Sequence, residues 1–258
     1  MLLAIDVGNT QTVLGLYEGD KLLHMWRVAT NKLHTSDELR IKVKPLFDSE
    51  GIDAAGVDGA VLASVVPKLT ESWFEALVVM LKHEPLVVDA QAAGDLFKST
   101  YAHPAEVGAD RVADAVAARI LFGAPCVVVD FGTATNIEVI DRDGYFIGGI
   151  IAPGIETSSN ALFARATKLA AIDLVDPGTA IGGSTEQAIQ AGIVYGEADR
   201  VDGLMRRVFK QLGYQARVIA TGGLAESVAR ISETITEVVP ELTLDGLRLI
   251  YDARCHRS

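Results

Sequence analysis

Asp6-Val7-Gly8-Asn9-Thr10 and Asp130-Phe131-Gly132-Thr133-Ala134-Thr135 are two versions of one pattern, one in each half of the chain. The first follows the apolar run Leu2-Leu3-Ala4-Ile5, the second Cys126-Val127-Val128-Val129. Each leads into another largely apolar stretch, at 12–17 and 137–140. A strand, an Asp-x-Gly turn and a second strand are therefore written twice. Aspartate and glycine favour tight turns whatever the turn does. A repeated, threonine-rich version suits a phosphate. Bare glycine backbone lets a ligand approach, successive N–H groups and hydroxyls donate to its oxygens, and a carboxylate can hold a cation nearby.

Outward from these hairpins, the first half opens as a meander of strands at 2–7, 12–17 and 21–28. Thr35-Ser36-Asp37-Glu38 has capping-box spacing and starts a helix to about 49, with Pro45 expected to kink it. Residues 60–66 form a continuous apolar run of strand length, expected to be buried on both faces. Thr70 is expected to cap a helix through Lys82, and 85–89 reads as a short strand. The second half repeats the theme: a helix over 109–122, strands at 126–130 and 136–141, and a strand from Tyr145 into a glycine-rich bend at Gly154. Helical patterning follows at 155–169 and 184–212, the latter carrying Gly192, Gly196 and Gly203 as points of bending. A strand at 215–220 leads to Thr221-Gly222-Gly223, and a closing helix runs from Leu242 to about Asp252. Three strands followed by strand–helix alternation, given twice, is a duplicated α/β fold. The spacing puts the division at 1–108 and 109–258. Neither a P-loop nor a G-x-G-x-x-G dinucleotide motif occurs.

A chain of 258 residues accommodates one large domain or two ordinary ones. Its 49% apolar and 22% charged residues are a globular composition. The net charge of −11 argues against nucleic acid and anionic membrane surfaces as partners, because both leave a basic footprint. Cys126 and Cys255 give no disulfide framework. Met1 runs straight into a strand, and no apolar run reaches ~18 residues, so the expected location is the cytoplasm.

The paired hairpins and the late Thr-Gly-Gly resemble the actin-like ATPase superfamily, which includes acetate and sugar kinases. Within it the chain is similar to type III pantothenate kinases along its whole length. The resemblance is carried by both hairpins, by Glu106-Val107-Gly108-Ala109-Asp110-Arg111, and by Thr35-Ser36-Asp37-Glu38-Leu39, Ser64-Val65-Val66-Pro67 and Leu242-Thr243-Leu244-Asp245-Gly246-Leu247. It implies two duplicated actin-like (ribonuclease H-like) α/β domains with a nucleotide cleft between them, and a homodimer with the acceptor pocket near the subunit interface. The implied reaction is ATP-dependent phosphorylation of pantothenate to 4′-phosphopantothenate, the first step toward coenzyme A. The implied ions are Mg²⁺ and a monovalent cation, K⁺ or NH₄⁺.

Carried over by motif, Asp6, Val7, Gly8, Asn9, Thr10, Gln11, Thr12 and Val13 line the ATP phosphates, and Thr133 donates to the nucleotide. Asp130 holds the monovalent cation. Tyr101, Gly108, Ala109, Asp110, Arg111 and Thr185 contact pantothenate, with Asp110 as the catalytic base. Read without the resemblance, Asp110 suits the first turn of any helix, where the macrodipole favours an ionised carboxylate. Thr185, between Ser184 and Glu186, reads as a helix start. His24, His34, His83 and His256 show no ligand spacing and are expected in solvent; His103 lies near the candidate pocket. Three positions depart from the family pattern: Asn136 in place of threonine, Ala170-Ala171 in place of Pro-Arg, and His103 in place of asparagine. A kinase for another small hydroxy acid would keep the hairpins and change the surroundings of Tyr101, Arg111 and Thr185. A nucleotide-binding regulator would need no base.

Overall fold

The computed structural model describes residues 1–166 and 172–255. Ala170, Ala171 and His256 lie outside them, as does the segment 167–169 at the end of the expected helix. The chain packs as two units: Met1–Ala117 together with the closing segment from Leu242, and Ala118–Glu241.

In the first unit β1 (Leu2–Val7), β2 (Gln11–Glu18) and β3 (Lys21–Ala29) form an antiparallel meander. β4 (Gly59–Ser64) adds parallel to β1, and β5 (Leu86–Val87) parallel to β4. The sheet order is β3-β2-β1-β4-β5. Central strands β1 and β4 are buried on both faces, and for that reason they read as unbroken apolar runs rather than alternations. Leu3, Ile5, Leu14, Leu16 and Leu62 pack under α1 (Ser36–Ser49) and α2 (Pro67–Leu81), meeting Leu39, Val43, Phe47, Trp73 and Leu77. Thr35 closes the capping box with Glu38, and α1 runs through Pro45. α2 starts earlier than the threonine at position 70 suggested. Pro67 occupies its first turn, where a missing N–H costs nothing, and the Thr70 hydroxyl donates back to the Val66 carbonyl at 3.3 Å.

The second unit repeats this wiring. β6 (Cys126–Phe131), β7 (Ala134–Ile140) and β8 (Phe146–Pro153) form the meander, and β9 (Arg217–Gly222) and β10 (Glu237–Val238) add in parallel, in the order β8-β7-β6-β9-β10. Val127, Val129, Ile137 and Val218 pack against Val201 and Met205 of α7 (Gly196–Leu212) and Val228 of α8 (Ala225–Ala229). The remaining helices are short α3 (Ala90–Ala93), α4 (Ala109–Phe122), α5 (Ile155–Arg165), α6 (Thr185–Gln190) and closing α9 (Leu242–Cys255). The helix expected over 184–212 is α6, a π-helical turn at Ala191–Tyr195, and α7, so the irregularity falls at Gly192 and Gly196 and not at Gly203.

The packing places the division of the chain differently from 108/109. The first half of α4, through Ala117, belongs to the first unit, and α9 returns to it. The reason is the second face of the β1–β4 sheet. Gly15 and Gly59 have no side chain, and α9 brings Leu244 and Tyr251 over them. Gly246 lets α9 meet α4 so closely that a Cβ there would lie 2.1 Å from the Ala113 carbonyl oxygen. The Tyr17 hydroxyl donates to Asp245 at 3.0 Å, and Thr243 donates to Asp114 at 2.7 Å. No described helix is long and apolar enough to cross a membrane.

Candidate active site

The first hairpin closes where the Gly8 N–H donates to the Gln11 carbonyl at 3.0 Å. A Cβ on Gly8 would lie 2.9 Å from that oxygen, so the turn requires bare backbone. Asp6 and Val13 face each other across the ladder below the turn, while Asn9, Thr10 and Gln11 are exposed at its tip. The segment after β3 braces this tip. Thr30 N–H donates to the Thr10 carbonyl at 2.9 Å, Thr30 and Thr12 share a hydroxyl contact of 2.8 Å, and Lys32 Nζ donates to Asn9 Oδ1 at 3.0 Å.

The carboxyl end of β1 is also where α4 begins. The Val65 N–H, just past β4, donates to the Val7 carbonyl at 3.1 Å. A Cβ on Gly108 would sit 3.5 Å from the Val65 side chain and 2.5 Å from Asp110 Oδ1. Bare backbone at 108 thus lets the Asp110 carboxylate fold back over Gly108, which also meets the Val65 side chain just past β4. Arg111 N–H donates to Asp110 Oδ1 at 2.8 Å. Burial pushes the Asp110 carboxyl above the ordinary carboxylate range, against the opposing pull of that N–H and of the Arg111 charge. Desolvation therefore outweighs the position in the first helical turn, which alone would have kept the group strongly acidic.

The second hairpin closes through the Gly132 N–H to the Ala134 carbonyl at 3.0 Å, with Thr133 exposed at its tip. Its shape is held from the side by α5. Gly154 N–H donates to the Thr133 carbonyl at 3.1 Å, and the Thr157 hydroxyl donates to the same oxygen at 2.6 Å. A Cβ on Gly154 would lie 2.3 Å from the Gly132 carbonyl oxygen. Asp130 stands in a row across three strands, opposite Asn136 on β7 and Thr221 on β9. Its carboxylate occupies space left by Gly222, where φ is +92° and a Cβ would lie 2.5 Å from Asp130 Oδ1. A carboxylate beside bare strand-end backbone is a hard-oxygen donor set that fits an alkali cation. Asn136 puts an amide directly across from Asp130.

The structure thus gathers Asp6 to Val13 with Gly108 to Arg111 in one unit, and Asp130 and Thr133 with Thr221 and Gly222 in the other. Tyr101 is exposed, its N–H bonded to Ser99 Oγ at 3.0 Å. Thr185 is the exposed first residue of α6; the cap is Ser184, whose Oγ accepts from the Gln187 N–H. Two of the histidines expected in solvent are engaged. His24 stacks on Trp26 with ring centroids 5.4 Å apart, and His83 Nε2 contacts the Val57 carbonyl oxygen at 3.1 Å. His103 is exposed at the start of a 3₁₀ turn. Burial pushes the Cys126 thiol up to about 12, which leaves it inert. Sequence reading missed Thr30, Lys32, Thr157, Glu197 and Arg200. Only Glu197 and Arg200 carry a local signal, an i, i+3 charge pair, and that pattern is common on solvated helices.

Solved structures with the same fold include component A of the (R)-2-hydroxyglutaryl-CoA dehydratase of Acidaminococcus fermentans. It has 16% identity and a TM-score of 0.56 over 95% of this chain and 94% of that one. The ethanolamine utilization protein EutJ of Carboxydothermus hydrogenoformans has 16% identity and a TM-score of 0.53 over 96% and 89%. Both likenesses bear on the fold alone, two duplicated actin-like α/β domains. Sequence relatives are much nearer. The type III pantothenate kinase of Moorella thermoacetica is 44% identical over 252 residues, 98% of this chain and 99% of its own. That of Thermomicrobium roseum is 45% identical over 259 residues, 100% and 99%. The family model described as type III pantothenate kinase matches residues 2–207. With this coverage and identity, the chain belongs to the type III pantothenate kinase family.

Proposed function

We propose that this chain transfers the γ-phosphoryl group of ATP to the primary hydroxyl of pantothenate, giving 4′-phosphopantothenate and ADP on the route to coenzyme A. The observation that carries the reading is Asp110: a carboxylate turned back over Gly108, with its proton affinity raised by burial. A base whose affinity moves toward the working pH is better matched to accept an alcohol proton. As the acceptor oxygen bonds to phosphorus and the bond to the β-phosphate bridge breaks, the hydroxyl proton passes to Asp110. The rest of the task is positioning and charge stabilisation, because phosphoryl transfer asks little covalent chemistry of the protein.

Asp6 to Val13 are the residues proposed for the ATP phosphates, with backbone N–H groups and the Thr10 hydroxyl as donors, and Thr133 donates to the nucleotide. Arg111 is the proposed partner of the pantothenate carboxylate, a match in fork geometry. Tyr101, Gly108, Ala109 and Thr185 complete the acceptor contacts. Among the described residues no group of three or more acidic, His or Cys side chains is arranged to hold a metal. Mg²⁺ would then rest mainly on phosphate oxygens and water, its common habit. K⁺ or NH₄⁺ at Asp130 would supply positive charge against the phosphates. A homodimer in the cytoplasm completes the proposal, and light scattering at about twice 27.4 kDa would support that assembly.

The test uses purified protein with ATP, Mg²⁺, K⁺ and a panel of small hydroxy acids, with products read by mass. The expected result is one phosphorylated product, from pantothenate, with stoichiometric ADP. Phosphorylation of a different acceptor in preference, or ATP binding with no transfer to any, would overturn the reading.

A further inference from the structure

A buried polar cluster lies behind the second hairpin, on the sheet face opposite Asp130. The π-helical turn at Ala191–Tyr195 widens the helix just before α7 and so resets which residues of α7 meet the sheet. Two of these are charged. Glu197 is buried, and the Thr135 hydroxyl donates to its Oε1 at 2.6 Å. Arg200, one turn on, pairs through Nη2 with Glu197 Oε2 and donates to the Pro153 carbonyl at 2.8 Å and to Thr135 Oγ1 at 3.3 Å. Arg200 Nε is buried without a hydrogen-bond partner among the described residues.

Fold stability alone gives this cluster little reason to exist. The surrounding layer is apolar, with Ile137, Ala198 and Val201, and a well-packed apolar trio in place of a buried ion pair is often as stable or more so. Its location supplies the reason. Thr135 lies two residues after Thr133, and Pro153 immediately precedes Gly154, whose N–H holds the Thr133 carbonyl. One guanidinium therefore ties together the start of β7, the end of β8 and α7, and through Gly154 and Thr157 it reaches the tip of the hairpin.

We propose that Arg200, with Glu197 and Thr135, is a positioning unit that aims Thr133 at the nucleotide. The inference rests on the proposed binding of ATP by this hairpin, and it is independent of which acceptor is phosphorylated. All three contacts run through Arg200 Nη2. Lysine at 200 would keep the charge, but its shorter side chain stops short of that position and its ammonium is a differently shaped donor.

The test measures MgATP affinity by calorimetry, together with KM for both substrates, on the full chain carrying Arg200→Lys, Thr135→Val or Thr135→Ser. Arg200→Lys and Thr135→Val are expected to weaken MgATP binding and raise KM for ATP by about 3- to 10-fold, the scale of one hydrogen bond. KM for pantothenate should stay unchanged, and Thr135→Ser, which retains the hydroxyl, should bind MgATP like the wild type. Lower melting temperatures with unaltered MgATP affinity in the folded variants would mark the cluster as merely structural and overturn the proposal. So would an equal rise in both KM values. If Arg200→Lys does not fold, Thr135→Val decides alone: wild-type MgATP affinity in that variant overturns it. Wild-type protein that binds MgATP but phosphorylates no pantothenate would count against the kinase reading only, since the affinity ratios would still decide this one.

Discussion

Asp110 combines two demands that pull in opposite directions. A carboxylate whose proton affinity is raised by burial is a better base, yet the fold must hold its charged form in a poorly solvated place at neutral pH. Because its folded pKa lies above the unfolded one, its contribution to stability is complete at low pH and is lost as pH rises through the folded value. Asp110→Asn cannot ionise and escapes that loss, while its Oδ1 can still accept from the Arg111 N–H. We expect kcat to fall by roughly 10²–10⁴-fold, the scale of general-base loss. Thermal melts across pH should show the variant gaining on the wild type as pH rises above about 4, the ordinary aspartate range. A variant that melts lower at neutral pH, with kcat intact, would make Asp110 a helix-start residue only. Asp130 carries a separate expectation. If its carboxylate helps hold a monovalent cation, turnover should collapse in Na⁺ buffer and return with K⁺ or NH₄⁺, and Asp130→Asn should lose that difference. Equal rates in Na⁺ and K⁺ would remove the cation from the site.

Glycines make the same point at the level of turns and strands. Thr221-Gly222-Gly223 reads as one motif, but its two glycines do different work. Gly222 has φ at +92°, and a Cβ there would lie 2.5 Å from Asp130 Oδ1 and 2.6 Å from the Phe131 carbonyl oxygen. Gly223 has nothing within 4 Å of such a Cβ. Gly222→Ala should therefore destabilise by about 1–3 kcal/mol, the usual scale of overpacking with backbone shifts. Gly223→Ala should stay within about 0.5 kcal/mol by denaturant melts. If Gly223 is bare to admit the nucleoside, its variant will show raised KM for ATP at wild-type stability. Equal melting of the two variants would refute this division. The capping box at Thr35 was readable because cap and helix are neighbours in sequence, whereas the start of α2 was misplaced because proline at Pro67 and threonine at Thr70 are both plausible openings. The π-helical turn left a glycine signature but no sign of its register, and β10, two residues long, has no periodicity to read.

At the scale of the molecule, the duplication was legible and the ownership of its last helix was not. Both sheets share the order 3-2-1-4-5, and both hairpins fall between the first two strands of their sheets, as the repeated Asp-x-Gly turns require. Nothing local in Leu242 to Asp252 says which sheet it covers. That is decided by Gly15, Gly59 and Gly246, spread over the chain, which together admit the helix. Asp110 is singled out by motif, but its raised proton affinity comes from burial in the folded chain, which no local pattern in the sequence shows. Leu242, Leu244, Leu247 and Ile250 are each buried to within 2%. At roughly 1.5–3 kcal/mol per buried side chain they account for about 6–12 kcal/mol, as much as a whole domain's net stability. Chains ending at Glu241 should therefore fail to form a cooperatively melting first unit, while residues 118–241 expressed alone should fold and show a sharp transition. A truncated chain with two normal transitions would contradict this.

The return of α9 also sets an order of events during synthesis. The strands of the first unit leave the ribosome before the second unit but lack the cover for one face until α9 emerges, after the second unit has been completed. The middle of the polypeptide can thus reach its native state while the beginning waits, with β1 and β4 partly open to chaperones and to wrong partners in the interval. For this chain a helix translated after the second unit decides when the first unit is finished.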